Sequence, residues 1–153
     1  MFAVIRTRSS VGLNPKIRST LEKLMLLKPN QLVLIAETDS AKKMLKKAEP
    51  MITWGEINQK TLEKLLEKRA RISGQKKVTK EILKEKKINS FKELSEKILK
   101  ENKKLSEFEL KPVLRLSPPS KGYEKGGIKK SYSVGGVWGY RAQDINSLVK
   151  RMM

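Results

Sequence analysis

The chain has 153 residues, and its 35 Lys and Arg against 16 Asp and Glu give a formal net charge of +19. It contains no Cys and no His, which excludes disulfides, thiol catalysis, zinc sites built on those ligands and imidazole acid–base chemistry. The hydrophobic fraction of 38% suffices for one domain with a core. So positive a charge predicts a polyanionic partner, with nucleic acid as the first candidate. We expect no cofactor and no small-molecule substrate.

The sequence carries no sign of a membrane segment. No run of about 18 apolar residues occurs, and no charged start leads into an apolar signal segment. We therefore expect a cytoplasmic protein without a membrane partner.

The N-terminal segment predicts a strand followed by a basic loop. Residues 2–5 are apolar and β-prone, and side chains alternate with period two, so Arg6 and Arg8 should point to the same side. The residues that follow, up to Gly12, read as a flexible loop. Four cations around this loop predict a phosphate-binding surface, which would consist of Arg6, Arg8, Lys16 and Arg18.

A helix should follow this loop. Asn14 is a suitable N-cap and Pro15 suits the first helical position, where a missing N–H costs nothing. The apolar face repeats at i, i+4, i+7 and i+8 and should run up to the break at Pro29; it consists of Ile17, Leu21, Leu24 and Met25.

The next residues complete a β-α-β-α-β core within residues 1–57. Residues 32–36 are continuously apolar, as in a strand buried on both faces, and should form the centre of the sheet. A short helix capped near Thr38 and ended by Pro50 places four lysines outward. Residues 51–54 then read as a third strand, which Gly55 closes and in which Trp54 should be a core residue.

Residues 58–111 predict a helical addition. One helix begins at Asn58, a short one is capped by Thr79 around Ile82 and Leu83, and another follows a capping box at Ser90. Residues 69–77 break the helical period and form a second basic loop, whose candidate RNA contacts are Arg69, Arg71, Lys76 and Lys77.

Residues 112–153 form a basic segment rich in Gly and Pro, followed by a helix. This segment contains eight Lys and Arg but only two acidic residues. Residues 117–140 have too much Gly and Pro for regular structure. Their aromatic residues either stack on bases or pack on the domain; a mobile loop that folds on RNA is expected, with a plain linker as the alternative. The candidate contacts are Lys121, Tyr123, Lys125, Lys129, Lys130, Tyr132, Trp138 and Arg141. Residues 141–152 should form a helix that docks its apolar face on the core.

Two motifs match only in part. Residues 122–127 have the first six positions of a phosphate-binding loop, but Ile128 stands where the lysine belongs. Residues 121–123 open like a strand of an RNA-recognition motif, but Glu124 replaces the small residue. A nucleotide-dependent enzyme is therefore the least favoured hypothesis.

Three blocks in order give a more specific signal. They are Ile5-Arg-Thr-Arg-Ser-Ser-Val-Gly with Asn14-Pro-Lys-Ile-Arg-Ser-Thr-Leu, then Met44-Leu-Lys-Lys-Ala-Glu-Pro-Met-Ile-Thr-Trp-Gly, and Gly126-Gly-Ile-Lys-Lys followed by Arg141-Ala-Gln-Asp-Ile-Asn-Ser-Leu-Val-Lys-Arg-Met. The chain resembles large-subunit ribosomal protein thirty in its long archaeal form, which is related to eukaryotic large-subunit protein seven. One departure from the family matters for the exact turn of the first loop: Ser9 stands where the family usually has glycine. A serine replaces glycine there only if its φ stays negative or if the backbone tolerates a cost of about 1 kcal/mol.

The resemblance implies an α+β fold with a small three-stranded core of ferredoxin-like character, added helices and a basic C-terminal segment in one compact domain. It also implies a non-enzymatic structural constituent of the large ribosomal subunit, bound to 23S-type RNA near 5S RNA and to neighbouring ribosomal proteins. A free architectural DNA- or RNA-binding protein remains the alternative, because charge alone does not separate the two.

Overall fold

The structure, a computed structural model, describes residues 1–9, 11–72, 74, 76–79, 88 and 90–153. The short helix predicted around Ile82 and Leu83 lies outside the described residues.

The described residues confirm an α+β fold. Within the described ranges ten helices and strands follow one another: β1 (Phe2–Arg6), α1 (Pro15–Lys23), β2 (Gln31–Ile35), α2 (Asp39–Ala48), β3 (Ile52–Glu56), α3 (Gln59–Arg69), α4 (Phe91–Glu101), β4 (Val113–Arg115), β5 (Gly139–Tyr140) and α5 (Ile145–Met152). Short 3-10 turns occupy Glu49–Met51, Leu105–Phe108, Tyr132–Val134 and Ala142–Asp144.

The described strands form one mixed sheet in the order β4-β2-β1-β3-β5. β1 is antiparallel to β2 and β3, β4 is antiparallel to β2, and β5 runs parallel to β3. The three predicted strands are confirmed, but β4 and β5 were missed because three and two residues are too few to show alternation. The centre of the sheet is β1, not β2: all of β1 is buried, whereas Leu34 and Ile35 of β2 are half-buried.

The sheet separates two cores. Phe2 and Val4 of β1 pack with Trp54 and with apolar residues of α1 and α2. Ala3 and Ile5 point to the other face, where they join apolar residues of α3, α4 and α5. Trp54 is 7% exposed, which confirms it as a core residue. The alternation along β1 therefore assigns each face its own set of helices.

Helix α1 ends earlier than predicted, at Lys23. Met25 has φ +57°, its N–H donates to Glu22 O, and Leu26 N–H donates to Leu21 O. These two bonds form a Schellman motif, with a methionine at the left-handed position where glycine is commonest. Met25 is consequently 43% exposed instead of lying on the apolar face.

Besides Asn14, which accepts from Lys16 N–H, three predicted N-caps are confirmed by side-chain hydrogen bonds. Thr38 accepts from Ala41 N–H, Asn58 from Thr61 N–H and Ser90 from Glu93 N–H. On α2 the four lysines face solvent while Ala41, Leu45 and Ala48 are buried, as the helical period predicts.

The C-terminal helix packs on the sheet as predicted. Ile145, Leu148, Val149 and Met152 of α5 are each fully buried. Gly55 lies inside β3 and does not close the strand, contrary to the prediction. A Cβ at this position would overlap the carbonyl oxygen of Ala142. The glycine is thus needed for the close approach of the turn that leads into α5.

Strand direction gathers the long loops at one end of the sheet. Ile5 and Arg6 at the end of β1 pair with Leu32 and Ile52 at the starts of β2 and β3. The end of β4 lies beside the start of β2, and β5 begins beside β3. Residues 7–9, 11–14, 24–30 and 116–138 therefore meet here, and we call this region the loop end.

Candidate nucleic-acid interface

The loop end contains an open groove between the loop that joins β1 to α1, which we call the first loop, and the glycine-rich residues 116–138. Its lining residues are Thr7, Arg8, Ser9, Val11, Gly12, Leu13, Asn14, Ile17, Pro50, Met51, Ile128 and Lys129. Arg8 and Lys129 are distant in sequence, but the sheet topology brings them to the same surface. Two of the three segments predicted to bind RNA therefore contribute to one site.

The first loop has the geometry of an anion-binding helix start. Asn14 Oδ1 accepts from Lys16 N–H at 2.9 Å, and the first turn of α1 carries no acid. Lys16 is exposed at this turn, where helix N–H groups and the dipole favour a phosphate. Among the described residues of the loop Gly12 has a positive φ, +67°, while Ser9 does not. Serine at position 9 is thus compatible with this loop.

Arg6 does not face this groove, contrary to the prediction that Arg6 and Arg8 point together. Its side chain donates to the carbonyls of Leu26 and Leu27 at 2.8 and 2.7 Å, and the residue is 2% exposed. Arg6 lies on the α1 face of the sheet, where it binds the carbonyls that follow this helix. Its role in the structure is to hold the α1–β2 connection.

Arg8 and Arg18 differ in their surroundings. Arg8 is half-buried, and its guanidinium makes one long contact of 3.4 Å with the carbonyl of Pro50. Arg18 is exposed and forms an i,i+4 ion pair with Glu22 at 3.2 Å. Exposed pairs of this kind are weak, so Arg18 can exchange its carboxylate for a phosphate.

Residues 121–138, which we call the lysine loop, fold back on themselves. Gly126 N–H donates to Gly135 O at 3.0 Å, and Val137 N–H donates to Lys130 O at 2.9 Å. A Cβ at Gly126 would overlap the Gly135 carbonyl, and one at Gly136 would overlap that of Lys130. The glycines thus allow close contact between the two arms, where the sequence predicted a mobile loop.

Arg141 holds the lysine loop on the sheet and does not face solvent. Its guanidinium donates to both carboxylate oxygens of Glu124 at 2.7 and 2.8 Å, to Val137 O at 2.9 Å and to Thr53 Oγ1 at 2.8 Å. The side chain is 2% exposed. The prediction that Arg141 contacts RNA does not fit this burial, and a planar guanidinium suits the bidentate internal role.

Glu124 is the anion around which this cluster is organised. Arg151 also binds it at 3.0 Å and donates to Gly122 O at 3.0 Å. Burial acts to raise the pKa of Glu124, but the hydrogen bond and charge of Arg141 outweigh it and lower the pKa overall. The carboxylate is therefore ionised at neutral pH and fixes both ends of the loop.

Three aromatic residues that were predicted to contact RNA instead contact other parts of the protein. The Tyr132 ring lies 4.2 Å from the Arg141 guanidinium, and its hydroxyl donates to Asp144 at 2.7 Å. The Tyr123 hydroxyl donates to Asn30, and Trp138 Nε1 donates to Lys129 O at 3.1 Å. These rings help to order the lysine loop, which favours packing over base stacking.

The lysines of the loop stay on its outer surface. Lys121, Lys125, Lys129 and Lys130 are all exposed, and none of the four forms an ion pair within the described part of the chain. Two apolar residues missed by the sequence reasoning stand beside them: Val11 is 91% exposed and Ile128 is 42% exposed. No periodic signal marks a single apolar residue at a loop tip.

The second basic loop lies elsewhere. Arg69 ends α3, Arg71 forms a bridge with Lys77, and Ile72 N–H donates to Lys76 O at 3.0 Å. Lys111 N–H then donates to Arg71 O at 2.9 Å, which ties this turn to the chain just before β4. Lys76 and Lys77 are exposed but are not part of the loop end.

Other classes of site find no support in the described residues. No group of three metal-binding side chains occurs among them. No helix in this part of the chain is long and apolar enough to cross a bilayer.

Known proteins resemble this chain over its whole length. The uL30 large ribosomal subunit protein of Methanococcus vannielii is 44% identical over 152 residues, covering 99% of each chain. That of Nanoarchaeum equitans is 46% identical over 151 residues, covering 99% of this chain and 97% of the other. The family model of ribosomal protein L30p/L7e matches residues 2–52. The chain belongs to this family.

Membership of the L30p/L7e family confirms the resemblance seen in the sequence. The family model covers β1 to the start of β3, which includes the first loop and all of α1 and α2. The relative from Methanosphaera stadtmanae extends the likeness through the lysine loop and α5, since it is 42% identical over 154 residues and the whole of both chains.

Proposed function

We propose that this protein is a structural constituent of the large ribosomal subunit that binds and stabilises ribosomal RNA. The archaeal relatives carry that subunit in their names, and the net charge of +19 calls for a polyanionic partner. The finer assignment, to 23S-type RNA near 5S RNA, rests on the family resemblance. The protein works without a cofactor and alongside neighbouring ribosomal proteins.

One observation carries the proposal: the fold joins the first loop and the lysine loop at the loop end. Arg8 and Lys129 line an irregular concave surface, and the exposed Lys16 and Lys130 are close in sequence to its lining residues. Basic side chains on loops that a rigid sheet holds in place can match the phosphate backbone of a folded RNA. Val11 and Ile128 add exposed apolar contacts at the rim.

We infer that internal contacts order the lysine loop before RNA binds, in place of the mobile loop expected from the sequence. The Arg141–Glu124 pair and the internal hydrogen bonds hold its backbone, so binding does not bear the full cost of ordering the segment. Lys125, Lys129 and Lys130 thereby project from a held backbone at the loop end, whereas Lys43, Lys46 and Lys47 of α2 are not among the residues that line its groove.

Affinity for a large-subunit RNA fragment tests the proposal. Lys125→Ala/Lys129→Ala/Lys130→Ala should weaken binding far more than the matched control Lys43→Ala/Lys46→Ala/Lys47→Ala, which removes the same charge from α2. If about six to ten phosphates are neutralised, the wild-type affinity should fall by roughly 10³ to 10⁵ between 50 and 200 mM salt. Equal losses in the two variants would favour a free architectural nucleic-acid binder that works by net charge.

A further inference from the structure

A second groove opens at the edge of the sheet beside β4. We call it the edge groove; it is lined by Glu22, Met25, Leu27, Gln31, Arg69, Arg71, Lys111, Pro112, Val113 and Arg115. Gln31 pairs with Arg115 and Val33 with Val113, so these side chains share the face that α1 covers further along the sheet. Because α1 ends at Lys23, this edge of the face stays open.

Four cations surround the edge groove. Arg69 donates to Ser117 Oγ at 2.6 Å, and Arg71 donates to Ala70 O at 2.9 Å. These bonds orient both guanidiniums without neutralising them, and among the described residues no ion pair involves Arg69, Arg71, Lys111 or Arg115. The acid on the rim, Glu22, is paired with Arg18. The groove therefore presents a net positive field and three planar forks suited to phosphate.

The floor between these cations is apolar. Met25 is 43% exposed and Leu27 is 59% exposed, and both lie beside Pro112 and Val113 in the groove. Cations around an apolar floor match a ligand with phosphates on its outside and flat apolar faces within. Single-stranded RNA has that character, whereas a continuous duplex hides its base faces.

The edge groove is separate from the groove that Arg8 and Lys129 line, although its residues Met25 and Leu27 belong to one of the loops at the loop end. The two grooves have no lining residue in common, and they adjoin different faces of α1, which contributes Glu22 to the edge groove and Ile17 to the other, about 140° apart around the helix. The cations of the two grooves lie on different parts of the fold. Arg8 follows β1 and Lys129 lies in the lysine loop, whereas the cations of the edge groove lie at the end of α3 and around β4. The two sets of cations are therefore distinct.

We propose that the edge groove binds an unpaired or bulged RNA segment, so that the protein joins two RNA segments, one at each groove. This inference rests on the proposed function for the nature of the ligand. It also gives roles to Lys111 and Arg115, which the sequence reasoning did not select, and separates the roles of Arg69 and Arg71 from that of the first loop.

Amide NMR of the full chain, titrated with a short oligouridylate at low salt, tests the proposal. We expect two sets of shifted amides, one at residues 8–13 with 128–130 and one at residues 69–72 with 111–115. Lys111→Ala/Arg115→Ala should weaken binding at the second set by at least about fivefold and leave the first set unchanged. The control Lys43→Ala/Lys47→Ala, with the same change in charge, should alter neither set selectively.

Three results would overturn the proposal: no shift at residues 69–72 and 111–115, the same weakening in the control, or a stronger response of these amides to oligoglutamate than to oligouridylate. The double variant Lys129→Ala/Lys130→Ala distinguishes this proposal from the proposed RNA site at the loop end. If those substitutions leave the loop-end shifts intact, the proposed loop-end site is wrong while the edge groove stands. Loss of the edge-groove response alone leaves the loop-end site in place.

Discussion

The cluster of Glu124 with Arg141 predicts that one uncharged substitution will loosen the lysine loop. Glu124→Gln keeps the shape of the side chain but leaves the guanidinium of Arg141, which is 2% exposed, without its carboxylate. Removing one partner of a buried ion pair costs about 3–5 kcal/mol. Because Glu124 is itself 24% exposed, solvent recovers part of this loss, and we expect a destabilisation of about 2–3 kcal/mol.

For a domain of this size that destabilisation lowers Tm by about 5–10 °C. Thermal unfolding measures it, and Glu22→Gln is the matched control because Glu22 forms an exposed pair with Arg18 and should leave Tm unchanged. RNA affinity provides a second readout: Glu124→Gln makes the chain more positive by one charge, yet it should bind RNA more weakly because the loop is no longer fixed. An unchanged Tm together with tighter RNA binding would refute the role assigned to the cluster.

Three further predictions concern pH, the first arginine and a loop glycine. The lowered pKa of Glu124 adds stability above the ordinary glutamate range, and this is lost as pH falls through the folded-state pKa; the gap in unfolding free energy between wild type and Glu124→Gln should therefore close in acid. Arg6→Ala should cost about 2–3 kcal/mol in urea unfolding by stranding buried carbonyls, whereas Arg8→Ala should weaken RNA binding at unchanged stability. Gly136→Ala should open the lysine loop, because its Cβ overlaps the Lys130 carbonyl, and amides of residues 124–137 should then exchange faster than in wild type.

Local sequence signals predicted the core well. The caps at Asn14, Thr38 and Asn58 and the apolar period of α5 depend on neighbours a few residues away, and all are present in the structure. The end of α1 was misplaced because Met25 adopts a left-handed conformation that normally favours glycine. No local pattern distinguishes this methionine from another residue of the apolar face.

The site was harder to predict because charge does not reveal burial. Arg6 and Arg141 looked like two more cations in a very basic chain, but their partners are the carbonyls after α1 and the carboxylate of Glu124. Such partners lie 17 or more residues away, and only the sheet topology brings them close. The lysines of the loop, unlike these two arginines, are exposed. Their part in RNA binding stays a prediction.

Retention on the large ribosomal subunit tests the central claim most directly. Subunits from a related archaeon, depleted of their own copy of this protein, would be mixed with wild type, the lysine-loop triple variant Lys125→Ala/Lys129→Ala/Lys130→Ala or the α2 control Lys43→Ala/Lys46→Ala/Lys47→Ala, washed in moderate salt and sedimented. The account predicts that wild type and the α2 control remain bound while the lysine-loop variant is lost. Equal retention of both variants, or failure of the wild type to sediment, would contradict a structural role that depends on the loop end.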